Sequence, residues 1–424
     1  LACGTGRSLA LAFGDIDADV LGLCRARRPH LRDHEEQPCA HPLRTILLGA
    51  SNLWFPVAFS ALSVPSAEDR LGQLVEEHWA VLGKAGSPRD VELMRGLGLL
   101  QQFSVFEDGA IWAAVQARRA AQAKSATQGG IQLRSPEWEA FTRPDPARQS
   151  SDFRLREVKP PARYRRVLRR VVLVERLREV RALVGFTRVT SPGDLGEVAD
   201  LLDVPLVPIS RHAPEWVPAS EVRGEGLFLE FAEEALQAWL AGREAIARGE
   251  QLFAGHRGWR EAREQSPADA GFPGMRYVLL HSLAHALMRQ LSIECGYALA
   301  SIRERIYARE AGPESPAMAG VLLYTAAPDS EGTLGGLVSL GEPEPLGPHL
   351  DQCLHMAELC ASDPLCAEHD PANGSATLHG AACHACQFVP ETSCERANRY
   401  LDRAALVPTF GREQAGFFAG LLED

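Results

Sequence analysis

The stretch Cys366-Ala-Glu-His369, followed after a polar loop by Cys383-His-Ala-Cys386-Gln-Phe-Val-Pro-Glu-Thr-Ser-Cys394, decides how the C-terminal part of this chain folds. Two cysteines three positions apart can hold one metal ion from a tight turn, and two further thiolates close a tetrahedron around it. The spacing therefore predicts a zinc site. Its favoured ligands are Cys366, Cys383, Cys386 and Cys394.

Other residues near this stretch are alternates. Cys360 precedes Cys366 by six residues and is its alternate, and weaker candidates are Cys353, His369, His379 and His384. Free thiols or disulfides are the competing interpretation, but five cysteines within 35 residues, with one C-x-x-C pair, favour a metal. A site closed by four thiolates has no open position, so we expect its role to be structural.

The composition narrows the class of protein. The chain has 424 residues, 46% hydrophobic and 23% charged, as in a globular protein of two to four domains. A net charge of −11 excludes a simple polyanion binder. The sequence has no apolar run of about 18 residues and no signal peptide, so we expect no membrane contact and a cytoplasmic location. The start lacks a methionine, and we expect further residues upstream.

The first 45 residues form an arm rich in arginine, proline and potential metal ligands. Its spacing is loose, so it fits either a partial second zinc module or an irregular surface arm with free cysteines. The ligands of that module would come from Cys3, Cys24, Cys39, His30, His34 and His41.

The remaining pattern predicts a mixed α/β (α+β), multi-domain fold that ends in a cysteine-cluster zinc-binding lobe. We expect a mainly helical region at 46–150, a basic helix with a small α/β region at 151–255, and the zinc-binding domain at 256–424. Within them the patterns predict a linker at 142–162, helices at 110–126, 231–250 and 275–293, a short helix or turn opened by the capping box Ser301–Glu304, and a strand at 321–325.

A basic stretch at 154–188 contrasts with the acidic chain, because twelve positive against three negative side chains give it a charge of +9. Arg165-Arg166 and Arg169-Arg170 are four apart, which places them on one face of a predicted helix. Guanidinium groups pair with phosphates, so the stretch predicts a nucleic-acid contact; a solvated face or a dock for an acidic partner is the alternative. The candidates are Arg163, Arg165, Arg166, Arg169 and Arg170.

His281-Ser-Leu-Ala-His285 places two imidazoles one helical turn apart. Metalloproteases share this spacing but have a glutamate beside the first histidine, where this chain has Ser282. Acids of the Asp329–Glu331 loop could supply a third ligand, which leaves a metal-dependent hydrolase or nuclease as the alternative function. Hydrogen-bonded core histidines are the simpler interpretation.

No nucleotide-binding motif is visible. The glycine-rich stretch at 329–336 lacks the Lys-Ser/Thr pair of a phosphate loop, and Gly83-Lys84-Ala85 lacks the upstream glycine and the hydroxyl. We therefore expect the chain not to be an enzyme.

Several of these stretches together resemble a known family. Those that carry the resemblance are Leu279–His285, Ser301–Tyr307, Tyr324 with Asp329–Gly336, Asp363–Cys366, Cys383–Arg399 and Leu401–Arg403. They are similar to the C-terminal zinc-binding domain of MrfA-type helicases. With Arg44–Pro65 and Val171–Arg188, they resemble the DrmB family of the DISARM anti-phage defence system over most of the chain.

The resemblance implies a role within a complex. DrmB-type proteins pair with DrmA, a superfamily 2 helicase, so the motor would lie in the partner, and the pair engages DNA in a system of the restriction type. The family's zinc ligands fall on Cys366, Cys383, Cys386 and Cys394.

Overall fold

The computed structural model describes part of the chain in detail. Its residues are 27–28, 31, 33–34, 55–65, 69–127, 133–145, 149–187, 206–212, 216–263, 265–296, 298–312, 315–325, 336–373, 377–412 and 416–422. These residues form a mixed helix and sheet structure, which confirms the expected fold class.

The strands and helices of the described residues are numbered here in chain order. The strands are β1 Arg27–Arg28, β2 Asp33–His34, β3 Phe55–Leu62, β4 Arg154–Val158, β5 Leu168–Thr187, β6 Val207–Pro208, β7 Ala219–Phe231, β8 Ile302–Arg309 and β9 Met318–Thr325. The helices are α1 Asp69–Glu77, α2 Trp79–Leu82, α3 Pro88–Gly96, α4 Asp108–Thr127, α5 Arg134–Thr142, α6 Glu233–Leu240, α7 Arg243–Glu261, α8 Gly274–Cys295, α9 Gly336–Leu340, α10 Pro343–Glu358 and α11 Ala419–Leu422.

The chain divides into two compact units. The first comprises Leu1–Ser60 and Arg181–Ser220, and the second Ala61–Val180 and Glu221–Asp424. In the first unit, the described residues Val57, Phe59, Val184 and Leu206 form a small apolar cluster. The expected division into four segments at 45, 150 and 255 stays a prediction.

The described residues contain a seven-stranded sheet, of which β4, β8 and β9 lie wholly in the larger unit. Its order is β3-β5-β7-β9-β8, with β4 and β6 paired to β5, and the β7–β9 and β8–β9 pairs are antiparallel. Alternate side chains point to opposite faces of a strand. On β5, Leu173 enters one core and Val174 the other, so the sheet separates two hydrophobic layers.

Helix α8 fills the first layer and packs against β8, β9 and α10. It is apolar on nearly all sides, and buried residues run almost without interruption from Met275 to Leu291. A helix that is apolar all round belongs in a core. The cysteine-rich C-terminal segment follows α10 in the chain. Its residues Leu378, Val389, Tyr400 and Leu406 pack in the same core as α8.

The second layer is aromatic. Trp138 and Phe141 of α5 pack against Phe228 and Tyr307, with the Phe141 and Phe228 rings stacked at 5.1 Å between centroids. Helices α1, α3 and α4 hold a further cluster built on Val75, Val91, Phe103 and Ile111. The described residues of the expected helical region 46–150 are thus largely helical, although β3 lies within it.

Several sequence predictions are confirmed and others are wrong. The helix expected at 275–293 is α8, and the strand expected at 321–325 is part of β9. The basic stretch is a strand from Leu168 on rather than a helix. The Ser301–Glu304 box was expected to open a short helix or turn, but it leads into β8 after a short 3₁₀ turn at Leu299–Ser301. The expected linker at 142–162 contains β4, and the helix expected at 231–250 is broken between α6 and α7.

No helix among the described residues is long and apolar enough to cross a membrane.

Candidate metal centre

Four cysteine thiols converge in the C-terminal lobe. Cys360, Cys366, Cys383 and Cys386 have sulfur atoms within 4.8 Å of one another. The Sγ–Sγ distances are 3.5 Å for Cys360–Cys383, 3.7 Å for Cys366–Cys386 and 3.8 Å for Cys383–Cys386. These are far too long for disulfides. They match the edge of about 3.8 Å that a tetrahedron with Zn–S bonds of about 2.3 Å requires.

Two tight turns present these thiols. Cys360 follows the end of α10, and Cys366 lies in the turns that come after it. In the second turn, the N–H groups of Cys386 and Gln387 donate to the carbonyl of Cys383 at 3.2 and 2.9 Å. The backbone therefore curls around the C-x-x-C pair and brings both sulfur atoms to one side.

Asp363 and Arg403 support the first turn. The N–H groups of Cys360 and Ala367 donate to the Asp363 carboxylate at 2.8 and 3.0 Å, and Arg403 is ion-paired with the same carboxylate. Arg403 is fully buried and also donates to the carbonyls of Ala357 and Glu358, both at 2.8 Å. Outer groups of this kind fix the direction of metal ligands.

The local charges favour the thiolate form of one ligand. The hydrogen bond from the Cys386 thiol lowers the pKa of Cys366 to about 6 against the effect of burial, and Arg403 acts in the same direction. Zinc binds thiolate rather than thiol, so these contacts favour metal binding by Cys366. A Zn²⁺ ion on four thiolates would supply a structural cross-link between the two turns and no open coordination position.

The structure brings together three of the four predicted ligands. Cys366, Cys383 and Cys386 lie together as expected, but the fourth member is Cys360, the alternate. Cys394 lies in another cluster, because the chain after Cys386 continues past the C-x-x-C turn and places its sulfur 3.2 Å from His281 Nε2.

The weaker candidates lie outside the four-thiol cluster. Cys353 is buried in α10 and donates to the carbonyl of Leu350. The rings of His369 and His379 stack at 4.6 Å, and His384 packs against Phe388. Of the N-terminal candidates Cys3, Cys24, Cys39, His30, His34 and His41, only His34 lies among the described residues, in β2.

His281 and His285 lie on the buried side of α8, where their ring centroids are 4.5 Å apart. The Asp329–Glu331 loop expected to join them lies outside the described residues. Their neighbours in the structure are Glu304 of β8 and Cys394. The sequence did not indicate Glu304 as a ligand, because the segment around it was expected to be a short helix or turn.

Carboxylates neutralise part of the basic stretch. Arg154 and Arg156 pair with Glu175 at 2.9 and 2.8 Å. Arg170 lies 3.3 Å from Glu157 and 3.5 Å from Glu230.

The other four candidates for a nucleic-acid contact are exposed. Arg163 is paired with Asp351, and Arg165 donates weakly to the Pro160 carbonyl. Arg169 is 62% exposed and 3.8 Å from Glu230, and Arg166 forms no ion pair with a carboxylate of the described residues. Arg165, Arg166 and Arg169 are therefore the most available cations of the candidate set.

Similarity to known proteins identifies the family to which the chain belongs. Residues 283–387 match the MrfA Zn-binding domain, a range that contains all four clustered cysteines and ends before Cys394. Residues 1–55 match a domain of unknown function. The DISARM protein DrmB of Bacillus paralicheniformis is 33% identical over 419 residues, which cover 94% of this chain and 70% of that protein. The chain belongs to the DrmB family of DISARM proteins.

This DrmB family member therefore carries a zinc-binding domain, and four thiols in that domain are placed to bind Zn²⁺. Among solved structures, the DUF1998 helicase MrfA bound to DNA is similar at 11% identity and a TM-score of 0.23. That similarity covers 53% of this DrmB family member and 23% of the MrfA chain.

Proposed function

We propose that the chain is a non-catalytic, zinc-stabilised subunit of an anti-phage helicase complex. It binds a superfamily 2 helicase of the DrmA type and helps that helicase to hold DNA. The observation that carries this proposal is membership of the DrmB family over 94% of the chain. In this role, zinc on Cys360, Cys366, Cys383 and Cys386 stabilises the lobe and takes no part in chemistry.

The sequence supports a motor in the partner rather than in this chain. Neither the glycine-rich stretch at 329–336 nor Gly83-Lys84-Ala85 has the residues of a nucleotide phosphate loop. Translocation by the complex would then depend on ATP hydrolysis by the helicase subunit.

DNA contact is assigned to the exposed part of the basic stretch. Arg165 and Arg166 follow the short turn at 162–164, and Arg169 lies at the start of β5. Guanidinium groups bind phosphate oxygens in bidentate geometry and release counterions, so this contact should be salt-dependent.

Co-purification tests the partner, and DNA binding then tests the pair. The chain and the helicase encoded with it are co-expressed, and fluorescence anisotropy measures DNA binding by the complex and by each protein alone. The proposal expects a stable complex with higher DNA affinity than the helicase alone. Separate elution of the two proteins, or no gain in affinity, would contradict it.

The alternative of a hydrolase or nuclease finds less support in the geometry. His281 and His285 are both 0% exposed within α8, whereas a hydrolytic metal needs an open coordination position that substrate and water can reach. DNA cleavage by the purified chain, lost on His285→Ala but retained in Cys383→Ser, would favour this alternative.

A further inference from the structure

A second cluster of potential metal ligands lies where α8 and β8 meet the cysteine-rich C-terminal segment. His281 and His285 come from α8, Glu304 from β8, and Cys394 from the loop that follows the C-x-x-C turn. His281 Nε2 lies 3.0 Å from Glu304 Oε1 and 3.2 Å from Cys394 Sγ, and His285 Nε2 lies 3.4 Å from the same Glu304 oxygen. Three distant segments thus direct two nitrogens, one carboxylate and one sulfur to a single point.

The hydrogen bond of His285 fixes which ring nitrogen carries the proton. Its Nδ1 lies 2.9 Å from the main-chain carbonyl of Gln387, which can only accept, so Nδ1 must donate. A neutral ring with its proton on Nδ1 has a bare lone pair on Nε2, the atom that faces Glu304. Metal-binding histidines have this arrangement, with one nitrogen donating to a carbonyl and the other on the metal.

The facing groups then need a cation between them. Glu304 is 3% exposed, so a carboxylate charge at this position needs a cation close by. A carboxylate oxygen opposite a nitrogen lone pair is repulsive unless a proton or a metal ion lies between them. Two further buried atoms, His281 Nδ1 and Glu304 Oε2, have no hydrogen-bond partner among the described residues. Unsatisfied buried polar atoms of this kind call for an explanation.

The sulfur atom of Cys394 is also placed to accept hydrogen bonds. The N–H groups of Arg396 and Asn398 point at Cys394 Sγ at 3.4 and 3.2 Å. Such donors stabilise a thiolate. The loop reaches this shape through positive φ angles at Ala397 and Asn398, 49° and 60°, which side chains other than glycine adopt at a cost.

We propose that His281, His285, Glu304 and Cys394 bind a second divalent metal ion, separate from the four-thiol site and best suited to Zn²⁺. Zinc accepts nitrogen, oxygen and thiolate ligands in one tetrahedral site. Its two positive charges would balance the carboxylate and the thiolate, leaving no net charge in the core. Because the site is closed, its role would be to join α8, β8 and the loop after Cys386.

The test is the metal content of the full chain, measured by mass spectrometry after removal of loosely bound ions. To exclude the N-terminal arm, the chain carries Cys3→Ser, Cys24→Ser and Cys39→Ser. The proposal expects two equivalents of metal per chain. Glu304→Gln and Cys394→Ser should each lower the content to one, and Cys383→Ser should independently remove the other equivalent.

His256→Gln is the matched control. His256 is also a buried histidine, hydrogen-bonded to the Tyr400 hydroxyl and the Ala270 carbonyl, but it lies outside both clusters. This variant should lose stability and keep both metal ions. One equivalent in the background chain, or two equivalents unaffected by both Glu304→Gln and Cys394→Ser, would overturn the proposal.

X-ray absorption on the unsubstituted cluster decides the question even where a variant does not fold. The proposal expects an average zinc shell of sulfur mixed with nitrogen and oxygen. A shell of sulfur alone in the chain with the three N-terminal substitutions would overturn it.

Discussion

Cys360 Sγ lies 3.5 Å from Cys383 Sγ, although 23 residues separate them in the chain. This contact makes Cys360 the fourth member of the thiol cluster. We expect Cys360→Ser to weaken zinc binding by more than about 100-fold, because loss of a ligand should exceed the 10–100-fold cost of losing an outer partner. Competition with a chromophoric chelator measures the affinity.

Cys353→Ser is the control for that prediction. Cys353 is also a buried cysteine of the lobe, but its thiol donates to the Leu350 carbonyl. The zinc affinity of this variant should match that of the unmodified chain. Equal losses in the two variants would show that the Cys360 effect is one of folding rather than of ligation.

Asp363 should matter to zinc binding without touching the metal. It accepts from the N–H of Cys360 and is paired with buried Arg403. Asp363→Asn replaces one acceptor oxygen with a donor, so we expect zinc affinity to fall by about 10–100-fold. The same chelator competition tests this; an unchanged affinity would mean that the first turn is held by other contacts.

The exposed arginines should account for the salt dependence of DNA binding. Replacing Arg165, Arg166 and Arg169 with alanine should reduce the slope of log K against log [salt] by about one unit per lost phosphate contact. Anisotropy titrations of the helicase complex at several salt concentrations give the slope. Arg154→Ala with Arg156→Ala is the control, because Glu175 already pairs with both side chains. Equal slopes for the unmodified chain, the triple variant and the control would show that these arginines do not contact DNA.

A buried ion pair should stabilise the lobe. Arg248 of α7 pairs with Asp402, and the two side chains are 3% and 0% exposed. Asp402 also accepts from the N–H groups of Ala381 and Ala404. Arg248→Met should cost about 3–5 kcal/mol in free energy of unfolding, because it leaves an uncompensated buried charge. Arg248→Met with Asp402→Asn should cost less than the two single changes added together. Urea unfolding of the unmodified chain, the two single variants and the double variant measures these free energies.

The same pair predicts how stability depends on pH. Burial alone would raise the pKa of Asp402, but the charge and hydrogen bond of Arg248 outweigh it and hold this pKa below its usual range. The stabilisation is therefore complete above the unfolded pKa of about 3.9 and is lost as the pH falls through the lower folded value. Asp402→Asn should lack this acid-dependent component. An identical acid profile in the variant would assign the transition to other groups.

The sequence predicted those parts of the fold whose local pattern agrees with their final environment. Helix α8 is apolar and long, and β9 is a short apolar run, so each is recognisable by itself. The start of β5 was predicted to be helical because Arg169-Arg170 lie four positions after Arg165-Arg166. The β-branched run Val171–Val174, buried between two layers, was the better signal.

From the sequence, the candidate metal centre could be assigned to the cysteine-rich segment, but its complete set of ligands could not. The C-x-x-C pair and Cys366 follow from spacing, but the choice between Cys360 and Cys394 depends on where the loop after Cys386 turns. That turn depends on Asn398, whose side chain exchanges hydrogen bonds with the main chain of Val389 at 3.0 and 2.8 Å. Tertiary contacts of this kind leave no trace in residue spacing.

The most direct test of the proposed function is ATP hydrolysis by the purified chain, by the helicase, and by the two together on DNA. The account predicts that the chain alone hydrolyses no ATP, that it co-elutes with the helicase, and that the complex has the DNA-stimulated activity. ATP hydrolysis by the chain alone, or a helicase that neither retains the chain nor changes its DNA-stimulated activity in its presence, would contradict the account.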